Sequence, residues 1–212
     1  MGRQRGRIFV VSGPSGSGKT TLLKRLVRDR LIARKLARSV SYTTRSKRPG
    51  ERQGRDYFFI TRQEFRRFLR EKKIIEWTKY LDNYYATPRG FAEKQLKCGK
   101  VLLLCLDVKG ASRIKRLYAR QSTTIFILPP SLPELRKRIT SRCCQTKKKE
   151  IKKRLSLADA EIVGASKYDY CLLNKDLNQV TRELKEIILT DTKAKKSNEA
   201  TAYGARRRKL HG

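Results

Sequence analysis

Apolar residues along this chain come in short blocks separated by basic and turn-forming stretches. Ile8-Phe9-Val10-Val11 is a largely β-branched run, the pattern of a strand buried on both faces. Residues 12–18 are rich in glycine. Over residues 20–30, Leu22, Leu23, Leu26 and Val27 recur at helical spacing. Residues 39–60 mix alternation with turn signals, Arg48-Pro49-Gly50 being a turn and residues 56–60 a strand. Thr61 with Glu64 predicts a capping box ahead of a helix carrying Phe65, Phe68 and Leu69. Residues 74–85 read as strand, turn, strand. The strongest buried-strand signal is residues 101–108, followed by a helical pattern. A second such strand, 124–128, is ended by Pro129-Pro130. Residues 131–166 are helical in pattern apart from a basic break at 143–149. Residues 170–173 form a last strand and 177–189 an amphipathic helix. Beyond Thr192 a polar, basic, frayed end is expected. No internal repeat is present.

Helices alternating with apolar strands predict an α/β fold around a parallel sheet. The chain's 212 residues suit a single domain. The core is expected from 7–38, 89–129 and 167–190, with a smaller β-rich insertion at 39–88, a helical segment at 130–166 and a basic tail at 191–212.

Charge changes the picture. Lys and Arg number 53 against 19 Asp and Glu, a net charge of +34. Residues 193–212 hold seven Lys/Arg and one Glu, and the first seven residues hold three Arg, leaving +25 for the rest. Such a field favours polyanions, and nonspecific adhesion to RNA is expected. A basic bias shared by a whole proteome is the alternative origin. The single histidine is His211, which argues against Ser/His/Asp or Cys/His nucleophilic catalysis and a His-rich metal site. Five cysteines, an odd number without a C-x-x-C pair, argue against a disulfide framework or zinc site and fit a reducing cytoplasm. The basic start is not a signal peptide, and no apolar run approaches the ~20 residues of a membrane span.

Gly13-Pro14-Ser15-Gly16-Ser17-Gly18-Lys19-Thr20 fits G-x-x-x-x-G-K-[ST] throughout, between a strand and a helix. Glycines at this spacing turn backbone N–H groups inward around phosphate oxygens, and the helix start points its positive dipole end at the same charge. Lys19 would reach the β- and γ-phosphates of a nucleoside triphosphate, and the Thr20 hydroxyl would ligate magnesium. The motif does not name the phosphate acceptor. Residues 39–60 are dense in phosphate ligands. Arg45 and Arg48 offer guanidinium forks and Tyr57 a hydroxyl. A second cluster is Ile75-Glu76-Trp77 with Asn83-Tyr84-Tyr85-Ala86-Thr87-Pro88; Trp77 is read as packing.

Taken with the P-loop, the run from Ser41 through Thr43-Thr44-Arg45, Arg48-Pro49-Gly50-Glu51, Gly54 and Asp56-Tyr57 to Phe59 resembles the guanylate kinase family over residues 7–190. The resemblance implies a P-loop α/β core of five parallel strands flanked by helices, a β-rich GMP-binding subdomain at 39–88 and a helical lid at 130–166. The implied reaction moves the γ-phosphoryl of ATP to GMP with Mg2+. It gives roles to matching residues: Ser41, Thr87 and Glu76 would read guanine, and Arg45, Arg48, Tyr57 and Tyr85 would clamp the acceptor phosphate. Asp107 would lie beside nucleotide and magnesium, and Arg138, Arg142 and Arg154 would reach the transferred group from the lid. The two partners implied are ATP and GMP, with no membrane, in a monomer or homodimer.

Three residues depart from the family pattern. Ala86 stands where glycine is usual and would strain a left-handed backbone. Cys105 replaces an acid two residues before Asp107, and Lys175 one after Asn174. The lid from Arg136 to Arg154 carries ten Lys/Arg against one Glu, and its loop reads one residue longer than usual. Other readings are a non-catalytic phosphoprotein-binding relative, a nucleic-acid-binding protein, or a kinase for another phosphate acceptor. The intact Lys19 and Thr20 oppose the first, the lack of an aromatic-basic platform opposes the second, and Glu76 with Ser41 and Thr87 opposes the third.

Overall fold

The computed structural model describes residues 6–141 and 148–208. The chain runs β1 (Arg7–Ser12), α1 (Lys19–Leu26), β2 (Leu36–Arg38), β3 (Tyr42–Thr43), β4 (Phe58–Phe59), α2 (Arg62–Arg70), β5 (Ile74–Tyr80) and β6 (Asn83–Pro88). It continues through α3 (Arg89–Lys97), β7 (Val101–Cys105), α4 (Val108–Leu117), β8 (Ser122–Leu128), α5 (Leu132–Ser141), α6 (Lys148–Val163), β9 (Tyr170–Leu173) and α7 (Leu177–Arg208).

Five strands form one sheet in the order β2-β7-β1-β8-β9, every pair parallel. Parallel strands need helices on both faces, which is why β1 is apolar without alternation and buried throughout. Phe9 and Val11 face Leu22, Leu23 and Leu26 of α1 and Val180, Leu184 and Ile188 of α7. Ile8 and Val10 face Ala92 and Leu96 of α3 and Ala111 and Ile114 of α4. Arg7 ties the sheet to α7. Its guanidinium donates to Arg120 O at 2.6 Å, Thr123 Oγ1 at 3.1 Å and Asp191 Oδ2 at 2.6 Å.

The second sheet, β4-β3-β6-β5, lies within residues 42–88. Its β5–β6 hairpin turns on Leu81 and Asp82, both with positive φ, the backbone a two-residue primed turn requires. Helix α2 covers the sheet with Phe65, packed with Ile74 and Ala86. The predicted capping box is present: Glu64 N–H donates to Thr61 Oγ1 at 3.1 Å, and Thr61 N–H to Glu64 Oε2 at 2.8 Å. Ala86 is extended and buried in β6 with no left-handed backbone, so the anticipated strain does not arise.

Several boundaries differ from expectation. Helix α1 stops at Leu26 instead of continuing to residue 30. The following bonds tighten to i→i+3 at Arg28 and Asp29, and the Asp29 carboxylate takes the Leu31 N–H. The strand expected at 56–60 shrinks to Phe58–Phe59, because the Asp56 carboxylate accepts from Lys24, Arg52 N–H and Arg55. Strand β7 ends at Cys105 because Asp107 turns to cap α4. Helix α7 runs to Arg208, where a frayed end was expected. Residues 190–208 contain Ala, Lys, Arg and Glu without proline, a composition that sustains a helix. The lid's predicted break lies mostly outside the described residues. Among the described residues no helix is long and apolar enough to cross a membrane.

Candidate active site

Strand β1 delivers the chain into the phosphate cradle at its carboxyl end, where open α/β sheets hold ligands. Gly13, Gly16 and Gly18 have φ of 137°, 93° and 98°. Gly18 has a second reason to be glycine: a Cβ there would collide with Asn174 Nδ2. That amide donates to Ser17 O at 2.7 Å and braces the loop from the end of β9. Ser17 is buried within the loop, and its N–H donates to Pro14 O at 3.1 Å. Helix α1 starts at Lys19 with no side-chain cap and no acid in its first turn, so its N–H groups and positive dipole end face the cradle. Lys19 Nζ folds back over the loop, donating to Gly13 O at 2.5 Å and Pro14 O at 2.9 Å.

Across a cleft of about 1220 Å³ lies the second cluster, so that Ser15, Gly16, Lys19 and Thr20 share walls with Ser41, Arg45, Arg48 and Tyr57. Arg45 is held by Glu51, its Nη2 donating to both carboxylate oxygens at 2.8 and 3.0 Å. Glu51 also accepts Arg48 N–H at 2.9 Å, which leaves the Arg48 side chain exposed at the mouth. The Arg45 guanidinium lies 5.5 Å from the Tyr57 ring centre, and Tyr57 meets Tyr85 edge-on at 5.8 Å. Burial pushes the Tyr57 hydroxyl well above its ordinary range, so it faces the cleft as a neutral donor. Glu51 was not among the expected site residues, although its place three residues after Arg48 marks it.

Glu76, on β5, is 2% exposed and also faces this cleft. Thr87, wholly buried behind it, donates to Glu76 Oε1 at 2.6 Å. Burial pushes the Glu76 carboxyl up to about 7; the Thr87 bond opposes the shift, the nearby Asp107 carboxylate adds to it, and Arg113 opposes it. Asp107 caps α4: its Oδ1 accepts Gly110 N–H at 2.8 Å and its Oδ2 the Thr78 hydroxyl at 2.8 Å. Cys105 lines the wall beside it, its thiol held up in pKa by burial.

From α6, Arg154 is 9% exposed and lines the cleft with Lys153. Arg138 does not line it. Its Nε pairs with Glu134 Oε1 at 2.8 Å, and its Cβ packs near Gly16. Arg142 lies outside the described residues. Glu161 of α6 also lines the cleft, a position no sequence signal marks. Burial pushes its carboxyl up to about 7, with Lys19 opposing and Asp107 adding.

A family model described as guanylate kinase matches residues 5–191. The chain belongs to the guanylate kinase family. It is 39% identical to a guanylate kinase of Wolbachia pipientis wMel over 186 residues, 88% of this chain and 90% of the relative. It is 41% identical to a guanylate kinase of Synechocystis over 184 residues, 87% and 94% of the two chains. The crystal structure of guanylate kinase from Anaplasma phagocytophilum superposes with a TM-score of 0.73 at 32% identity, covering 90% of this chain and 88% of that one. The guanylate kinase fold therefore accounts for nearly all of the chain up to the basic tail.

Proposed function

We propose that this guanylate kinase family member transfers the γ-phosphoryl of ATP to GMP, giving ADP and GDP. The observation that carries the reading is a buried carboxylate, Glu76, sharing one cleft with a lysine-bearing phosphate cradle. Guanine presents two donors, N1–H and the exocyclic amine, and a carboxylate accepts both. Adenine has no such pair and would leave a buried charge unpartnered. In this reading Ser41 completes the guanine contacts, Thr87, buried behind Glu76 and off the cleft wall where a direct guanine contact was expected, holds the carboxylate from behind, and Arg45, Arg48, Tyr57 and Tyr85 hold the acceptor phosphate. Glu51 orients Arg45 by taking charge-assisted hydrogen bonds on both carboxylate oxygens from the one nitrogen Nη2, while Nη1 donates to Ser46 O.

Residues 13–20 would hold the ATP phosphates, with Lys19 leaving its two carbonyls for the β- and γ-oxygens. Arg154 and Arg138, with Arg142, would neutralise charge on the transferred group as the lid closes and excludes water. The Thr20 hydroxyl makes no hydrogen bond among the described residues and stands at the cradle's edge. A lone hard oxygen donor there fits Mg2+ held mainly by nucleotide phosphates. Bound with ATP, the ion would neutralise charge on the β- and γ-oxygens. We assign 39–88 as the GMP-binding subdomain, 130–166 as the lid, and a reducing cytoplasm as the compartment.

A coupled assay of ADP formation with GMP, AMP, CMP and UMP tests the function. GMP is expected to be the only efficient acceptor, and AMP turned over equally well would sink the reading. The charge excess supports RNA adhesion without sequence preference. That binding should fall steeply between 50 and 500 mM salt while GMP kinetics change less. No RNA binding at 50 mM would show that the charge is spread too thinly to make a polyanion site.

A further inference from the structure

Helix α4 carries a glycine, Gly110, in its first turn, where glycine weakens a helix relative to alanine. Its φ is not in the left-handed region, so the backbone does not demand glycine. The demand is spatial. A Cβ at Gly110 would stand 2.8 Å from Glu76 Oε2, closer than Cβ atoms approach oxygen, and 3.2 Å from Leu106 Cβ and 3.3 Å from Asp107 Oδ1. Glu76 and Thr78 are two apart on β5 and share a face. That face meets the first turn of α4, Thr78 through its bond to Asp107 and Glu76 by placing Oε2 in the space a Gly110 Cβ would need.

We propose that Gly110 is a positioning residue for acceptor-base choice: its missing side chain makes the seat in which the Glu76 carboxylate rests with one oxygen on Thr87. The inference rests on the reading of Glu76 as the carboxylate that accepts from guanine. The two nearest atoms to an added methyl differ in how they can respond. Leu106 Cβ is fixed by its own backbone, and Asp107 is pinned by the Gly110 N–H and Thr78 bonds. Glu76 Oε2 ends a flexible chain and is the atom that yields. An alanine at 110 therefore asks the first turn of α4 for no more than a few tenths of an ångström against Leu106 Cβ, and its larger effect is on the carboxylate, which it tilts off the 2.6 Å bond to Thr87. Shortening the acid by one methylene withdraws it from the methyl and removes the conflict.

The experiment is a double-mutant cycle on the full-length enzyme with Gly110→Ala and Glu76→Asp, read by steady-state kinetics with GMP and ATP and by thermal unfolding. Gly110→Ala alone should lower kcat/KM for GMP by about tenfold or more, the scale of a sub-ångström to ångström misplacement at a reacting complex, with KM for ATP unchanged. In the Glu76→Asp background the same change should add less than about twofold. Equal losses in both backgrounds, or none in either, would overturn the proposal, since Gly110 would then act through Asp107 or not at all. If Gly110→Ala fails to fold, the pair decides. A folded double variant matching Glu76→Asp supports the clash with Glu76, and an unfolded one refutes it. Unchanged GMP kinetics in Glu76→Gln would instead strike the reading of Glu76 itself, separating the two failures.

Discussion

Lys19→Ala should leave a folded protein that turns over GMP on the order of 10²–10³-fold more slowly, the scale of deleting a charged group preorganised at a developing transition state. Among the described residues Lys19 donates to the carbonyls of Gly13 and Pro14, a partly exposed arrangement worth about 1 kcal/mol per bond, so its loss does not threaten the core. The loop retains the Asn174 brace and its own turn bond. What disappears is the only side-chain cation built into the loop. Steady-state turnover with circular dichroism as the folding control measures this. Near wild-type turnover from a folded variant would remove the P-loop from the mechanism.

Glu76→Gln should lower kcat/KM for GMP by about 2–4 kcal/mol in transition-state free energy, with little change in KM for ATP. If the amide keeps its oxygen on Thr87, its NH₂ replaces the oxygen facing the base, and donor meets donor. The same substitution isolates a pH effect. With the carboxyl pushed up to about 7, the free enzyme takes up a proton as pH falls through that range, and GMP must displace it, so KM for GMP rises toward acid. The Glu161 carboxyl shifts the same way, so the acid limb lost in the Gln variant is the part that belongs to Glu76. Stability moves oppositely. The folded value lies above the ordinary 4.5, so protonation favours the fold: the contribution is complete below about 4.5 and lost as pH rises through about 7. At pH 8 the Gln variant should therefore melt higher than the parent while working worse, and the gap should close near pH 4. A lower melting temperature at pH 8 would show that the buried charge is compensated.

Features legible in the sequence were those set by neighbours in the chain. The P-loop, the Thr61–Glu64 capping box and the strand centred on Val10 each rest on local spacing, and each is present. What escaped depends on distant partners. The three residues of β2 are a strand because β7 supplies a parallel ladder, and the two-residue β3 exists through its pairing with β4 and β6. Helix α1 ends early because the Asp29 carboxylate takes a backbone N–H and pairs with Lys185, 156 residues away. Glu161 looks like any acid on a basic helix until α6 is folded against the cleft that holds Gly18 and Lys19. Gly110 reads as a flaw in a helix until Glu76 is placed against it.

Asn174 gives the cradle a dependence on synthesis order. All eight residues of the phosphate motif lie within the first twenty, so they are made almost at once. Yet the loop's shape is held by an amide that arrives 154 residues after the motif closes, just past the strand paired to β8. A nascent chain or proteolytic fragment ending before that asparagine contains the complete signature without its brace. The brace therefore closes on the loop only after residues 39–166, which supply most of the cleft wall, have been made.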